Sequence, residues 1–326
     1  MLHVLNGDAA AAALDRTDIP GERLVWRDIT VEGPATPVCL PVPAERAAWL
    51  TATFGLDPDA YVAAVEAQTR RLAGARAHDE VVLWFEQDLF CAVTLWALLD
   101  WLARARPSAV VSLVYPALDD EMRGLGALTG DRLGALFAER RPLGEDAVAL
   151  GARAWAAYAS PDPFASAPLL REESDALPFV GNAFRCHLGR FPSLFNGLNE
   201  VERAILAALR DGALPFRALF RAVTRQPALR RHGMGDRQLA GHLRRLEPLV
   251  TITGATVMTA ELDLTPQALG VAAGTLDWLG LHAIDTWLGG VHLVAGAPVW
   301  RFDDEHNRLL PAGSEGPGDT PRAYNS

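Results

Sequence analysis

Five consecutive apolar residues, Val81-Val82-Leu83-Trp84-Phe85, run into the polar tip Glu86-Gln87-Asp88 and then into an almost wholly apolar stretch from Leu89 to Leu102. A strand that is apolar on both faces needs cover on both, as a central strand of a parallel sheet has. The helix that follows must be deeply packed for the same reason. Strand and helix signals alternate through the first half of the chain: strands at 2–6, 22–27, 80–85 and 109–115, and helices at about 8–15, 44–53, 57–75, 89–104 and 129–138. That alternation predicts an α/β fold with an open parallel, Rossmann-like sheet over residues 1–142.

From 143 to about 192 the periodicity is helical, broken at Ser160-Pro161-Asp162-Pro163, with a second helix from about 178 to 188. This stretch reads as a helical bridge over 143–195. Beyond it, Asn199 and Glu202 give a capping-box signature ahead of Ala204-Ile205-Leu206. Helices at about 214–225 and 235–247 follow, then two short strands, 249–253 and 256–260, turning at Gly254. Three helices and a β-hairpin are the order of a winged helix, so 196–310 is expected to be a winged-helix-like α+β domain. Thr265-Pro266 opens a further helix through an N-cap and an N1 proline. Residues 311–326, rich in Gly, Pro, Ser and Asp, are expected to form a disordered tail.

All 30 basic residues are arginine. The absence of lysine removes Schiff-base chemistry, pyridoxal-phosphate anchoring, a lysine general base and the P-loop lysine, each of which needs an ε-amine. Cys39, Cys91 and Cys186 lie too far apart for a CxxC pair, which argues against a zinc ribbon, a redox dithiol or a disulfide framework and for a reducing cytoplasm. The amino terminus has no basic region followed by a long apolar run, and no window reaches the ~18 uninterrupted apolar residues of a membrane helix. A cytoplasmic protein without a membrane partner is therefore expected. The formal net charge is −10, yet residues 196–250 hold ten arginines against five acidic residues, a basic window in an acidic chain.

In an open parallel sheet, ligands gather outside the carboxyl ends of the strands. Asn6-Gly7-Asp8, Arg27-Asp28 with Glu32, and Glu86 with Asp88 are therefore placed around one crevice, with His3 on the first strand. Asp8 stands at the amino end of a helix, where a carboxylate caps free N–H groups and an incoming anion would use the same dipole. Asn6-Gly7 permits close backbone approach to a ligand and is equally ordinary turn chemistry. Asp88 can cap the helix after it. Glu86 has no such local duty and needs an arginine, a metal or a raised pKa, with Arg27 on the neighbouring tip as the expected partner. His3 reads either as a hydrogen-bonded core histidine or as an auxiliary proton carrier.

Arg123-Gly124-Leu125-Gly126 is a loop turn or a weak phosphate-binding signal. Asp285, Trp287, Gly289-Gly290 and His292 form a late polar-aromatic cluster, either a docking surface or, with His187, a group that completes the crevice. In the third helix of the basic window, Arg237, Gln238, His242, Arg244 and Arg245 are residue types that read base edges and phosphates, or that cover apolar surface with their stems. The chain has no GxGxxG, GxSxG, GxxxxGKS or HExxH motif, so dinucleotide oxidoreductase, α/β-hydrolase, P-loop and zincin readings lose their main support.

The stretches His3-Val4-Leu5-Asn6-Gly7-Asp8, Leu24-Val25-Trp26-Arg27-Asp28 leading to Glu32-Gly33-Pro34, and Leu83-Trp84-Phe85-Glu86-Gln87-Asp88-Leu89 resemble the bacterial domain of unknown function 1835 family. The resemblance covers roughly residues 1–140. It continues, as in longer members, through Arg123-Gly124-Leu125-Gly126, Phe191-Pro192-Ser193, Asn196-Gly197-Leu198 and Trp287-Leu288-Gly289-Gly290-Val291-His292-Leu293. It implies a family and no activity, since the family is uncharacterised. After Asp88 the chain departs from many members with Phe90-Cys91-Ala92 in place of a more polar run, which weakens any catalytic role for the start of that helix.

Two functional classes follow. The first is an enzyme, a hydrolase or transferase acting on a small anionic substrate. In it Asp8, Glu86 and Asp88 serve as acid/base carboxylates or metal ligands and His3 or His187 as proton carriers, while Asn6, Gly7, Arg27, Asp28, Glu32, Arg123 and His292 bind the substrate. Oxygen-rich tips suit a hard divalent cation such as magnesium. The alternative is a transcriptional regulator whose α/β domain senses a ligand and whose winged helix binds DNA through Arg237, Gln238, Arg244 and Arg245.

Overall fold

The computed structural model describes residues 1–38, 42–117 and 124–311. The chain is mixed α/β, with a five-stranded, mostly parallel sheet and many helices. It divides into two compact units, Met1–Ala183 with Gly289–Val291, and Phe184–Leu288 with the chain from His292 onward. Among the described residues, no helix is long and apolar enough to cross a membrane.

In the first unit β1 (Leu2–Asn6), α1 (Asp8–Leu14) and β2 (Glu22–Trp26) are followed by α2 (Ala44–Phe54) and α3 (Pro58–Ala73). Then come β3 (Glu80–Trp84), α4 (Leu89–Ala105), β4 (Val110–Val114), α5 (Gly130–Ala138), β5 (Arg141–Pro142) and α6 (Glu145–Tyr158). The sheet order is β2-β1-β3-β4-β5; the first four strands are parallel, and β5 runs antiparallel to β4. Register sets Asn6 beside Trp26, Leu5 beside Trp84 and Trp84 beside Val114, so the four parallel strands end together. The chain steps from β1 to β2 on one side and returns to β3 on the other. That reversal between β1 and β3 leaves a crevice beyond their carboxyl ends.

Val81, Val82, Leu83, Trp84 and Phe85 are fully buried, as their two-faced apolarity requires. Leu5, Val82, Trp84 and Val114 pack against Ala10, Leu14, Leu133 and Leu136 of α1 and α5. The Trp84 ring stacks on Phe137 at 6.1 Å between centroids. Apolar α4 lies against α6, and a Cβ on Gly151 would overlap Leu99, so glycine there lets the helices approach.

Residues 163–171, which carry helical periodicity, form a 3-10 helix instead of an α-helix, because Pro168 within them has no N–H to donate. The two-residue strands β5 and β6 (Leu214–Pro215) carry no periodicity by which a sequence could announce them.

α7 (Val180–Leu188) contains the boundary between the units. The second unit continues with α8 (Glu200–Ala208), β6, α9 (Phe216–Thr224), α10 (Pro227–Arg230) and α11 (Asp236–Arg245), then β7 (Val250–Thr253), β8 (Glu261–Leu264), α12 (Pro266–Ala272) and α13 (Trp278–Leu281). Two strand pairs close the described chain, β9 (Asp285–Leu288) with β10 (Val291–Val294), and β11 (Trp300–Asp303) with β12 (Arg308–Pro311). The capping box at α8 forms as its residues require, with Glu202 N donating to Asn199 Oδ1 at 2.9 Å and Asn199 N to Glu202 Oε2 at 3.0 Å. Strands β6, β8 and β7 make an antiparallel sheet in that order, over a core that includes Leu206, Leu219, Leu239, Leu243 and Leu262.

The strand expected at 256–260 lies at Glu261–Leu264 instead, because Val257–Thr259 takes a 3-10 turn in which Val257 and Met258 pack against the core. Pro311, expected in the tail, pairs with Trp300 at the end of β12, while 312–326 lie outside the described residues.

Gly151→Val is expected to cost about 1–3 kcal/mol of unfolding free energy in urea titration, by forcing α4 from α6. A stability equal to the parent's would show that this approach does not depend on the glycine.

Candidate active site

Asn6 ends β1, Glu86 follows β3, and Cys91 in the first turn of α4 joins them across the reversal in strand order. Asn6 Nδ2 donates to Cys91 Sγ at 3.1 Å, and the Cys91 thiol donates to Glu86 Oε2 at 2.8 Å. Glu86 Oε1 accepts the backbone N–H of Leu125 at 2.7 Å. Gly124, at φ 123°, makes that turn possible, since it holds a backbone conformation that side chains disfavour and a Cβ there would stand 3.3 Å from Glu86 Oε1. The Gly124-Leu125-Gly126 turn thus directs an amide at Glu86, which is what its sequence also suggested for a phosphate. Asp88 caps α4, its Oδ1 accepting from Cys91 N at 2.7 Å. Asn6 Oδ1 is buried with no hydrogen-bond partner among the described residues.

Burial decides the protonation of this cluster. Asp88 is 6% exposed; desolvation first, and the Glu86 charge second, push its carboxyl up to about 8. It therefore holds its proton at neutral pH beside a carboxylate that accepts two hydrogen bonds. Burial, with Asp88 and Glu86 adding to it, pushes the Cys91 thiol well above its ordinary range, so Cys91 is a hydrogen-bond donor here and not a thiolate nucleophile. Tyr115 is raised as well, by burial and then by Cys91 and Asp88, which puts its ring close to the cluster.

Tyr115 and Gln87 also line a cleft of about 260 Å³ at the end of β4, together with Val114, Leu136, Arg140 and Arg141. Gln87 Nε2 donates to Tyr115 O at 2.9 Å. Arg140 is held by Glu80 at 2.8 and 3.0 Å. Arg141 bonds at 3.4 Å to the backbone oxygen of Asp175 and makes no ion pair among the described residues. The cleft is thus adjacent to a protonated carboxyl and offers a cation, Arg141, that makes no ion pair among the described residues.

Several expected site residues have other engagements. Arg27 binds Asp8, with Nε and NH2 at 2.9 and 2.6 Å from the same oxygen, and both side chains are more than half exposed. Arg27 is therefore not the partner of Glu86; a thiol and a backbone N–H satisfy that carboxylate instead. The pairing with Arg27 holds the Asp8 carboxyl below its ordinary range. Asp28 is buried in a second network, accepting from Tyr61 OH at 2.7 Å, from Thr30 Oγ1 at 3.2 Å and from Arg46 NH2 at 3.2 Å. Glu32 joins that network through its backbone oxygen, 2.6 Å from Arg46 NH1. His3 is a core histidine: Trp84 Nε1 donates to its Nδ1 at 3.0 Å, its Nε2 reaches Pro20 O at 2.9 Å, and burial lowers its pKa. It lies in β1 away from the strand tip, so it carries no proton to the crevice. Arg123 lies outside the described residues.

The remaining candidates belong to the second unit. His187 is buried, meets the Phe191 ring edge-on at 5.7 Å, and has its pKa driven well down by burial. His292 bonds to Asp285 at 2.8 Å and stacks on Trp287 at 4.2 Å. Gly289 and Gly290 sit where Cβ atoms would overlap the backbone of Tyr158 and Ala159, so the pair is there for close approach. In α11, Gln238 is spent on Gly235 N at 2.9 Å, and Arg245 lies 2.7 Å from His242 and 3.5 Å from Glu202. Arg237 and Arg244 remain exposed.

Glu86, Asp88 and Cys91 place their donor atoms within 4.8 Å of one another, close enough to hold one cation. Magnesium, which the oxygen-rich tips suggest, takes oxygen ligands; a set containing a thiol fits a more thiophilic divalent ion such as zinc, whose binding would expel the Cys91 proton. Cys91, Tyr115 and Arg141 are the site residues that sequence patterning passes over. A thiol counts as apolar within an apolar helix, Tyr115 closes a predicted strand read only for its hydrophobicity, and Arg141 lies on a two-residue strand that no periodicity announces. A scan of the chain against protein-family models and a search among curated proteins both return no match.

A carboxyl whose folded pKa lies above its unfolded value stabilises in acid, and that contribution is lost as pH rises from the ordinary carboxylate range through about 8. Asp88→Asn keeps an oxygen for Cys91 N and removes the titration. Its melting temperature should match the parent's near pH 4 and exceed it at pH 9. Curves that stay parallel across the range would contradict the raised value.

Proposed function

We propose that the first unit is a Rossmann-like catalytic domain, a hydrolase or transferase for a small anionic substrate. The observation that carries this reading is the carboxyl pair at the reversal of strand order, in which Asp88 keeps a proton at neutral pH beside Glu86. A carboxyl that keeps its proton beside a hydrogen-bonded carboxylate offers an acid and a base at one place, which general acid–base chemistry needs. Glu86 is the general base toward water or an acceptor hydroxyl. Asp88, which holds a proton, is the general acid that gives it to the leaving group as Glu86 takes the proton of the attacking water or hydroxyl, and Cys91, donating to Glu86 and accepting from Asn6, positions the base.

The cleft beside the pair supports a small substrate, because about 260 Å³ is below the usual ~300–1,000 Å³ of sites for drug-sized ligands. Arg141, without an ion pair among the described residues, supports an anionic group on it. A metal held by Glu86, Asp88 and Cys91 would supply Lewis acidity at the same place. Kinship with the bacterial domain of unknown function 1835 family remains part of the proposal, on the tip motifs quoted above. So does a reducing cytoplasm, since Cys91 and Cys186 are free thiols. The second unit is proposed to be winged-helix-like, on its succession α8, β6, α9, α11, β7, β8 and its three-stranded sheet.

Thermal-shift titration with inorganic phosphate, nucleoside monophosphates and di- and tricarboxylates, followed by hydrolysis assays on p-nitrophenyl phosphate and p-nitrophenyl acetate, tests the reading. One or more of these anions should raise the melting temperature of the parent and fail to do so for Arg141→Gln. Glu86→Gln should bind the same anion and lose turnover by about 10²-fold or more. Stabilisation that survives in Arg141→Gln, or turnover that survives in Glu86→Gln, would overturn it.

A further inference from the structure

Five arginines of the second unit stand without internal partners. Arg217 and Arg221 lie on α9, Arg225 caps its carboxyl end, and Arg237 and Arg244 lie on α11; all five are exposed and none makes an ion pair among the described residues. Their neighbours differ, since Arg231 is tied to Glu200 at 2.8 Å and Arg245 to Glu202 at 3.5 Å. Glu200 and Glu202 are thus engaged with Arg231 and Arg245, while the five exposed arginines keep their charge without an ion pair among the described residues. Arg217, Arg221 and Arg225 follow one another at spacings of four, which places like charges side by side and is unfavourable in the free protein. A polyanion removes that repulsion.

We infer that this face of the second unit binds double-stranded DNA, with α11 at the major groove and Arg217, Arg221, Arg225, Arg237 and Arg244 all contacting phosphates. Leu239, Ala240 and Leu243 hold α11 to the core by one side. Arg237 and Arg244, two turns apart, are both exposed along one line of the helix and span about 10 Å along the axis, within the ~12 Å width of the major groove. Duplex RNA has a major groove too narrow for a helix. Single strands are held by stacking on exposed aromatic rings, and the two aromatic residues of α9, Phe216 and Phe220, pack into the core instead. The arginines stand on or at the end of formed helices, so binding needs no folding step. This inference is independent of the chemistry proposed for the first unit.

Fluorescence anisotropy of the full chain with a labelled random 20-base-pair duplex, between 50 and 200 mM NaCl, tests it. Neutralising five phosphates predicts a log–log salt slope of about −4.5 and an affinity loss of about 500-fold over that range. Arg237→Gln/Arg244→Gln should flatten the slope to about −2.7, a loss of about 40-fold, with an unchanged melting temperature. Arg217→Gln/Arg221→Gln should do the same and serves as a second variant should the first melt early. No binding at 50 mM salt, a slope indifferent to both variants, or equal affinity for single-stranded DNA, duplex RNA or anionic vesicles would overturn the assignment.

Discussion

The energetic cost of placing Asp88 at the head of an apolar helix governs the character of the site. α4 buries eleven of its seventeen residues, so its first turn is drawn beneath the sheet ends and its capping carboxyl goes with it. The N-cap hydrogen bond to Cys91 N does not compensate for losing water, and the Glu86 charge makes matters worse; the carboxyl resolves the conflict by keeping its proton. Everything proposed for the first unit descends from that protonation. A hydrated Asp88 would leave two ordinary carboxylates repelling each other across a protonated thiol.

The fold contributes the second condition. Strands β1 and β3 are neighbours in space but separated in sequence by β2 and three α-helices, so Asn6 and Glu86 meet only because the strand order reverses between them. The Gly124 turn then brings the Leu125 amide to the far side of Glu86. A carboxylate bonded on both oxygens is held in one orientation, which is what a general base requires. The Asp28–Arg46–Tyr61 network does structural work a short distance along the same sheet edge, where a buried ion pair with complete hydrogen bonding can be maintained.

Much of this was legible in the residues. The two-faced apolarity of Val81 to Phe85 predicts a central parallel strand, and the polar tips after residues 5 and 85 predict where its crevice lies. The partnerships were not legible. Arg27 looks like the natural partner of Glu86, but the register puts its side chain over Asp8, and a nearer thiol and amide take the carboxylate. Asp28 is two positions past the end of β2 and looks like its tip neighbours, yet Arg46, eighteen residues on, draws it into the core. Cys91 escapes notice because hydropathy does not distinguish a packed thiol from one that donates a hydrogen bond. In the second unit the arginine count is visible from sequence, but which arginines are neutralised depends on contacts such as Glu200 with Arg231 that only the folded chain supplies.

Carbon-13 NMR of the side-chain carboxyls, titrated from pH 3 to 10 in the parent and in Glu86→Gln, reads the proton on Asp88 most directly. The account predicts that Asp88 titrates near 8 in the parent and at a lower pH once the Glu86 charge is removed. Titration of Asp88 at the ordinary ~3.9 in the parent, or at the same pH in both proteins, would contradict it.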